Sequence, residues 1–224
     1  MRGRSLALCV ALGLLAAPAS AEPPVAASGA VRSWSRAAAE RWAVRAHELA
    51  VHGETMGAIS AYTEASRTDP TLGAAYLGLA ELRALVGDTR EAEWLLTRAT
   101  ALRDVRAEAL SRRARLYRVL GRDALALSDL VNAAEADPSP RRQRELAAFH
   151  VGQRAWVAAL AVWRRLRAAL SGETPAEELR EIDDTIEALT LLAAEADAVS
   201  HDAGERSWVL RALRRGRAER AAPR

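Results

Sequence analysis

The side chains able to do chemistry in this chain are few and poorly placed for it. Four histidines, His47, His52, His150 and His201, and one cysteine, Cys9, make up the whole stock of imidazole and thiol groups. A metal site needs ligands that converge on one point, and His47 and His52, five residues apart, would not share a helix face. Paired carboxylates such as Asp183 and Asp184 fall on the polar side of a long periodic segment, where solvation and not acid–base exchange is their expected role. The chain has no phosphate loop, no dinucleotide fingerprint and no Gly-x-Ser-x-Gly elbow. No residues are left to carry an enzyme reading, and neither cofactor nor metal is expected. What remains is recognition by charge. Lysine is absent, so every strong base is an arginine, whose planar guanidinium can hold a carboxylate through two parallel hydrogen bonds.

The charges fall in blocks. From Arg106 to Arg167 there are 13 arginines against 6 acids; from Glu173 to Glu205 there are 11 acids against 1 arginine; from Arg206 to Arg224 there are 7 arginines against 1 acid. Such asymmetry suggests electrostatic docking, within the molecule or with a partner. The last block carries Trp208, Val209, Leu210 and Leu213 among its arginines, a composition suited to contact with a membrane surface.

The N-terminus supplies a compartment. Arg2 and Arg4 precede an apolar run from Leu6 to Ala17, and Ala19-Ser20-Ala21 stands before Glu22-Pro23-Pro24. That order reads as a secretory signal over residues 1–21, cleaved after Ala21, and a run this short does not reach the roughly 18 to 20 apolar residues needed to span a bilayer. Export makes the protein periplasmic or secreted and argues against a nucleic-acid partner. Loss of Arg2 and Arg4 lowers the formal net charge from +3 to +1, and with Cys9 gone stability must come from packing without disulfides. Residues 22–38, rich in proline, glycine and small side chains, read as a flexible linker.

The elements that must position the arginines follow from an internal period. Gly53, Gly87 and Gly121 are spaced by 34 residues, as are Ala46, Ala80 and Ala114; Ala58, Ala92 and Ala126; and Ala65, Ala99 and Ala133; Asp69-Pro70 and Asp137-Pro138 lie two such steps apart. A unit of two antiparallel helices gives each column a task. The alanines let paired helices approach closely, the glycine ends the first helix in a left-handed conformation, and proline stops the second. Three units result, 39–72, 73–106 and 107–140, followed by a degenerate fourth over 141–172. Residues 173–200 then give one long acidic helix whose apolar stripe, Leu179, Ile182, Ile186 and Leu189, suits a cover for the last unit. A basic tail occupies 201–224.

These columns resemble the tetratricopeptide repeat family over about half of the mature chain. The resemblance implies an all-α fold, a right-handed superhelical solenoid of antiparallel helix pairs closed by the long C-terminal helix. It also implies a groove lined by the first helix of each unit that takes a peptide or protein partner. Carried onto this chain, the groove set includes His47, Leu77, Glu81, Ser111, Arg115 and Arg118, with Arg112 beside them. Asp104 departs from the pattern where proline is usual, as do Arg45 and Arg113 where a large apolar residue is usual. The lysine–asparagine set by which some relatives clamp a terminal carboxylate is absent. The expected function is a non-enzymatic interaction scaffold in the cell envelope, its groove preferring an acidic segment of a protein partner or the chain's own acidic stretch. The alternative is a homodimer joined through the heptad-like helix 176–199.

Overall fold

The computed structural model describes residues 25–170, 172 and 174–221. The expected signal segment lies outside the described residues. Helices α1 (Val25–Val51), α2 (Thr55–Thr68), α3 (Gly73–Leu85), α4 (Thr89–Thr100), α5 (Arg106–Val119), α6 (Asp123–Ala136), α7 (Pro140–Gly152), α8 (Trp156–Ala169) and α9 (Ala176–Ala221) follow one another, with no strand among the described residues. They pack as successive pairs, α1 on α2, α3 on α4, α5 on α6 and α7 on α8, and each pair packs on the next.

One turn repeats through all four pairs. The backbone N–H of Glu54 donates to Leu49 O, of Asp88 to Arg83 O, of Arg122 to Tyr117 O and of Ala155 to His150 O, at 2.8–2.9 Å. These are the long bonds of a Schellman motif, which requires a left-handed residue just before the donor. Gly53, Gly87 and Gly121 fill that position with φ of 79°, 87° and 69°; in the fourth pair Arg154 fills it with φ 54°. The fourth unit therefore keeps the turn without its glycine. It is also one residue short: its buried alanines, Ala147 and Ala159, lie 33 residues beyond Ala114 and Ala126.

The second helices stop as their Asp-Pro pairs dictate. Asp69 and Asp137 adopt extended backbone, as a residue before proline must, and both N–H groups close on the preceding turn, to Ala65 O and Ala133 O. Each carboxylate then accepts a hydrogen bond two residues on, from Thr71 N at 2.8 Å and Ser139 N at 3.1 Å. All nine column alanines are fully buried, exposed by 1% or less, so the helix pairs meet backbone to backbone at those points.

Arg113, one of the two departures from the apolar pattern, is held inside. Its guanidinium grips Asp129 of α6 bidentately, both bonds 2.8 Å, and donates to Thr97 Oγ1 of α4 at 2.9 Å. The side chain of Asp129 is only 5% exposed, and a buried charge is tolerable when so paired.

At the far end α9 lies on α8. Leu189 is buried with Ala159 and Leu160, and Trp156, Trp163 and Ile186 pack against them; Ile182, one of the α9 stripe, is 1% exposed. The cover is fixed by ion pairs from Arg144 to Glu178 at 2.6 Å and from Arg167 to Asp183 at 2.8 Å. Burial of Ile182 and Leu189 contributes on the order of 1.5–3 kcal/mol each.

Two segment boundaries differ from the sequence reading. The stretch 22–38 is helical from Val25 onward and not a linker: beyond Pro24 it holds no proline, and alanine, counted there as a small linker residue, is the strongest helix former. Helix α9 runs through position 200 to Ala221 without a break, because no proline interrupts it and Gly204 and Gly216 stand alone. The side chains of 25–34 and of 199 onward lie outside the described residues.

Candidate functional site

The first helices of successive units lie side by side and are cross-linked by charge. From α5, Arg112 donates from Nη1 to Glu81 Oε2 on α3 and from Nε to Glu108 Oε1 on its own helix, both at 2.8 Å. Across the next gap Arg142 of α7, exposed by 5%, donates to Glu108 Oε2 at 2.7 Å, to Glu145 Oε2 at 3.0 Å and to Ser111 Oγ at 3.0 Å. The Ser111 hydroxyl in turn donates to Glu145 Oε2 at 2.7 Å. Arg141 adds bonds to Glu108 and Glu145 at 3.2 and 3.3 Å. Partial burial of Glu108 opposes its ionisation, but hydrogen bonds from Arg142 and Arg112, with their charges, outweigh that and push its carboxyl down to about 2. Glu145 is likewise held below the ordinary range, burial being outweighed by the bonds from Ser111 and Arg142.

Next to this ladder, between α3 and α5 and over α4, is a hollow of about 280 Å³ lined by Ala80, Ala84, Leu96, Leu116 and Val119, with Glu81, Arg112, Arg115 and Thr89 at its edges. It exists because α3 presents alanine where α5 presents Leu116 and Val119. Val119 is 83% exposed, the far end of a row that includes Val51 and Leu85, which stand at the same place in the first and second units. An apolar hollow with a few charged groups at its rim is the general form of a binding site.

The expected groove residues divide sharply. Glu81, Arg112 and Arg115 come together at the hollow. Arg112 is already spent on Glu81 and Glu108, whereas Arg115 is 64% exposed with only a 3.9 Å approach to Glu108. Arg118 is exposed and lies over the Phe149 ring at 5.9 Å. His47 is exposed on α1 but does not line the hollow. Leu77 and Ser111, 7% and 2% exposed, are not groove-lining as expected: Leu77 belongs to the core and Ser111 to the Glu145–Arg142 ladder. The ladder's α7 members were missed because the fourth unit had lost its columns. The contacts run between residues 34 apart, Glu108 with Arg142 and Ser111 with Glu145, one place off the 33-residue offset of the fourth unit's alanines, so the repeat columns do not point to them.

The buried alanine columns and the repeated left-handed turn, seen together, decide the architecture. The fold is that of a tetratricopeptide-type solenoid. No family model and no curated protein matches the chain. Among solved structures it is similar to MamA, at 19% identity over 57% of this chain and 75% of that one, with a TM-score of 0.49. It is also similar to the first tetratricopeptide domain of Spaghetti (RPAP3) bound to the HSP90 peptide SRMEEVD, at 22% identity over 51% of this chain and 92% of that one, with a TM-score of 0.46. Among the described residues of this solenoid, no three His, Cys, Asp or Glu side chains are grouped to hold a metal, and no helix is long and apolar enough to cross a membrane.

Proposed function

We propose that the protein is a non-enzymatic interaction scaffold of the cell envelope, exported by residues 1–21, which holds a segment of a protein partner on the face formed by α3 and α5. The observation that carries this reading is the hollow between Ala80, Ala84, Leu116 and Val119 with the exposed guanidinium of Arg115 at its edge. It would take an apolar side chain flanked by a carboxylate, with Arg118 one turn further along available to a second acid. The described part of the chain's own acidic stretch docks on α8 and reaches Arg144 and Arg167, not Arg115, which favours an outside partner for the groove. A homodimer seam along 176–199 would need Ile182 and Leu189, and both are already buried within one chain, Leu189 against Ala159 and Leu160 of α8.

Pull-down from envelope extract with the wild-type protein and with the double variant Arg115→Glu, Arg118→Glu tests the reading. Specific capture should be lost in the variant, and wild-type capture should weaken with salt. Equal capture with equal salt dependence would sink it. Intact mass of envelope-fraction protein tests export separately and should give a chain beginning at Glu22.

A further inference from the structure

The two ends of the solenoid are unlike each other. In the second and third units the first helix buries its outer flank: Tyr76 and Leu79, and Leu110 and Tyr117, are all less than 8% exposed. Contacts from the preceding unit contribute, as where Arg113 bonds to Thr97 and Tyr117 donates to Glu93 at 3.0 Å, both partners on α4. The first unit has the same columns with nothing described in front of them. Trp42, in the column of Tyr76 and Leu110, is 45% exposed, and Arg45, in the column of the half-buried Arg113, is 62% exposed with only Glu48 at 3.6 Å. With Ala38 and Arg41 they line an open hollow of about 350 Å³. No ion pair reaches Arg41 among the described residues, so this end presents an indole between two guanidiniums.

The opposite end carries the complementary surface. On α9 the side facing away from Ile182 bears Glu177, Asp184, Glu187, Leu191 and Glu195, all exposed, with Arg180 as the lone base. Leu191 is 62% exposed in the middle of that stripe. The acids that hold α9 to the solenoid, Glu178 and Asp183, are different residues, so the outer stripe is not consumed by the cap.

We propose that the Trp42 end of one copy docks on the outer face of α9 of a second copy, joining molecules head to tail. Trp42 packs on Leu191 while Arg41 and Arg45 meet the flanking carboxylates. Opposite charge at the two ends of one chain favours this contact and disfavours pairing like ends. Because the joined surfaces differ, each added copy leaves one of each exposed, and assembly continues beyond a dimer until it closes as a ring or grows as a filament. The inference is independent of the α3–α5 groove, which stays open in such a chain.

Sedimentation velocity of the purified protein, at low and high salt over a wide concentration range, provides the test. The wild type should form species larger than a dimer that grow with concentration and shrink with salt. Trp42→Glu with Arg45→Glu, and separately Leu191→Arg with Glu187→Arg, should each be monomeric. An equimolar mixture of these two variants should form at least a heterodimer, since one intact end remains on each. A wild type monomeric throughout, a mixture that stays monomeric, or loss of assembly in the first variant alone would overturn the proposal, the last result indicating pairing of like ends. Should either double variant fail to fold, Trp42→Ala and Leu191→Ala replace them, each weakening association by about tenfold or more, the loss typical of a central anchor; unchanged association in either would equally overturn it.

Discussion

Arg142→Met removes the centre of the ladder while keeping the length and apolar stem of the side chain. The arginine is 5% exposed and holds Glu108, Glu145 and Asp137 together. Breaking a buried ion pair costs about 3–5 kcal/mol where a charge is left dry. Here Glu108 and Glu145 are 21% and 32% exposed and retain Arg112 and Arg141, so a loss of about 2–3 kcal/mol at neutral pH is expected. The pH dependence separates charge from packing. The folded-state carboxyl of Glu108 sits at about 2, below its ordinary 4.5. A depressed acid stabilises the fold fully above the unfolded value and loses that contribution as pH falls from about 4.5 towards 2. The full shift corresponds to roughly 3 kcal/mol, and screening at a partly solvated group reduces it to about 1–2 kcal/mol. Glu145 and Asp137 are shifted in the same direction. Urea unfolding followed by circular dichroism from pH 7 to about pH 2.5 should show the gap between wild type and variant narrowing by about 1–2 kcal/mol on acidification. A gap that stays constant to the lowest pH would mean that Arg142 contributes through packing alone.

Three further perturbations probe the helices themselves. Gly78→Ala should destabilise by about 1–3 kcal/mol in thermal unfolding despite alanine's higher helix propensity, because the added methyl would overlap the Tyr62 ring. Arg154→Gly should stabilise by about 0.5–1 kcal/mol, relieving the left-handed strain of the one turn that lacks its glycine; a melting temperature at or below wild type would show that the strain is absent. Ile182→Ala should cost about 2–4 kcal/mol and increase binding of an apolar dye, whereas Leu192→Ala, at a flank of α9 that is 38% exposed, should cost clearly less and leave dye binding lower.

The parts of the fold that could be read from sequence are those where one residue type has one physical task. Glycine at 53, 87 and 121 and alanine at nine pair contacts admit few substitutes, so they recur in register. The fourth unit was harder because Arg154 takes the turn without glycine and because a single missing residue before α7 shifts every later column. The start of α1 was misread since Ala, Ser and Gly serve both linkers and helices, and local composition cannot choose between them. At the candidate site, column position places Glu81, Arg112 and Arg115 on α3 and α5 but does not say which of their charges remain available. Arg112 and Arg115 are three residues apart on one helix, yet Glu81 and Glu108 engage the first closely and leave the second exposed. That difference depends on side chains from neighbouring units, which a single repeat does not contain.

The ladder also bears on modularity. Repeat arrays built from uniform units tolerate losing or gaining a unit, since each neighbour looks the same to the next. Here, excision of 107–140 would preserve the apolar columns yet set Ala74 and Leu77 of α3 where Glu108 and Ser111 now face α7. Arg142 would then be buried against alanine and leucine, with its principal carboxylate gone. The glycines and alanines make the units look interchangeable, while the Glu108–Arg142 contact matches the third unit to the fourth. Exchanging either of these two units alone would strand one side of that polar contact, so they are a matched pair inside an otherwise uniform array.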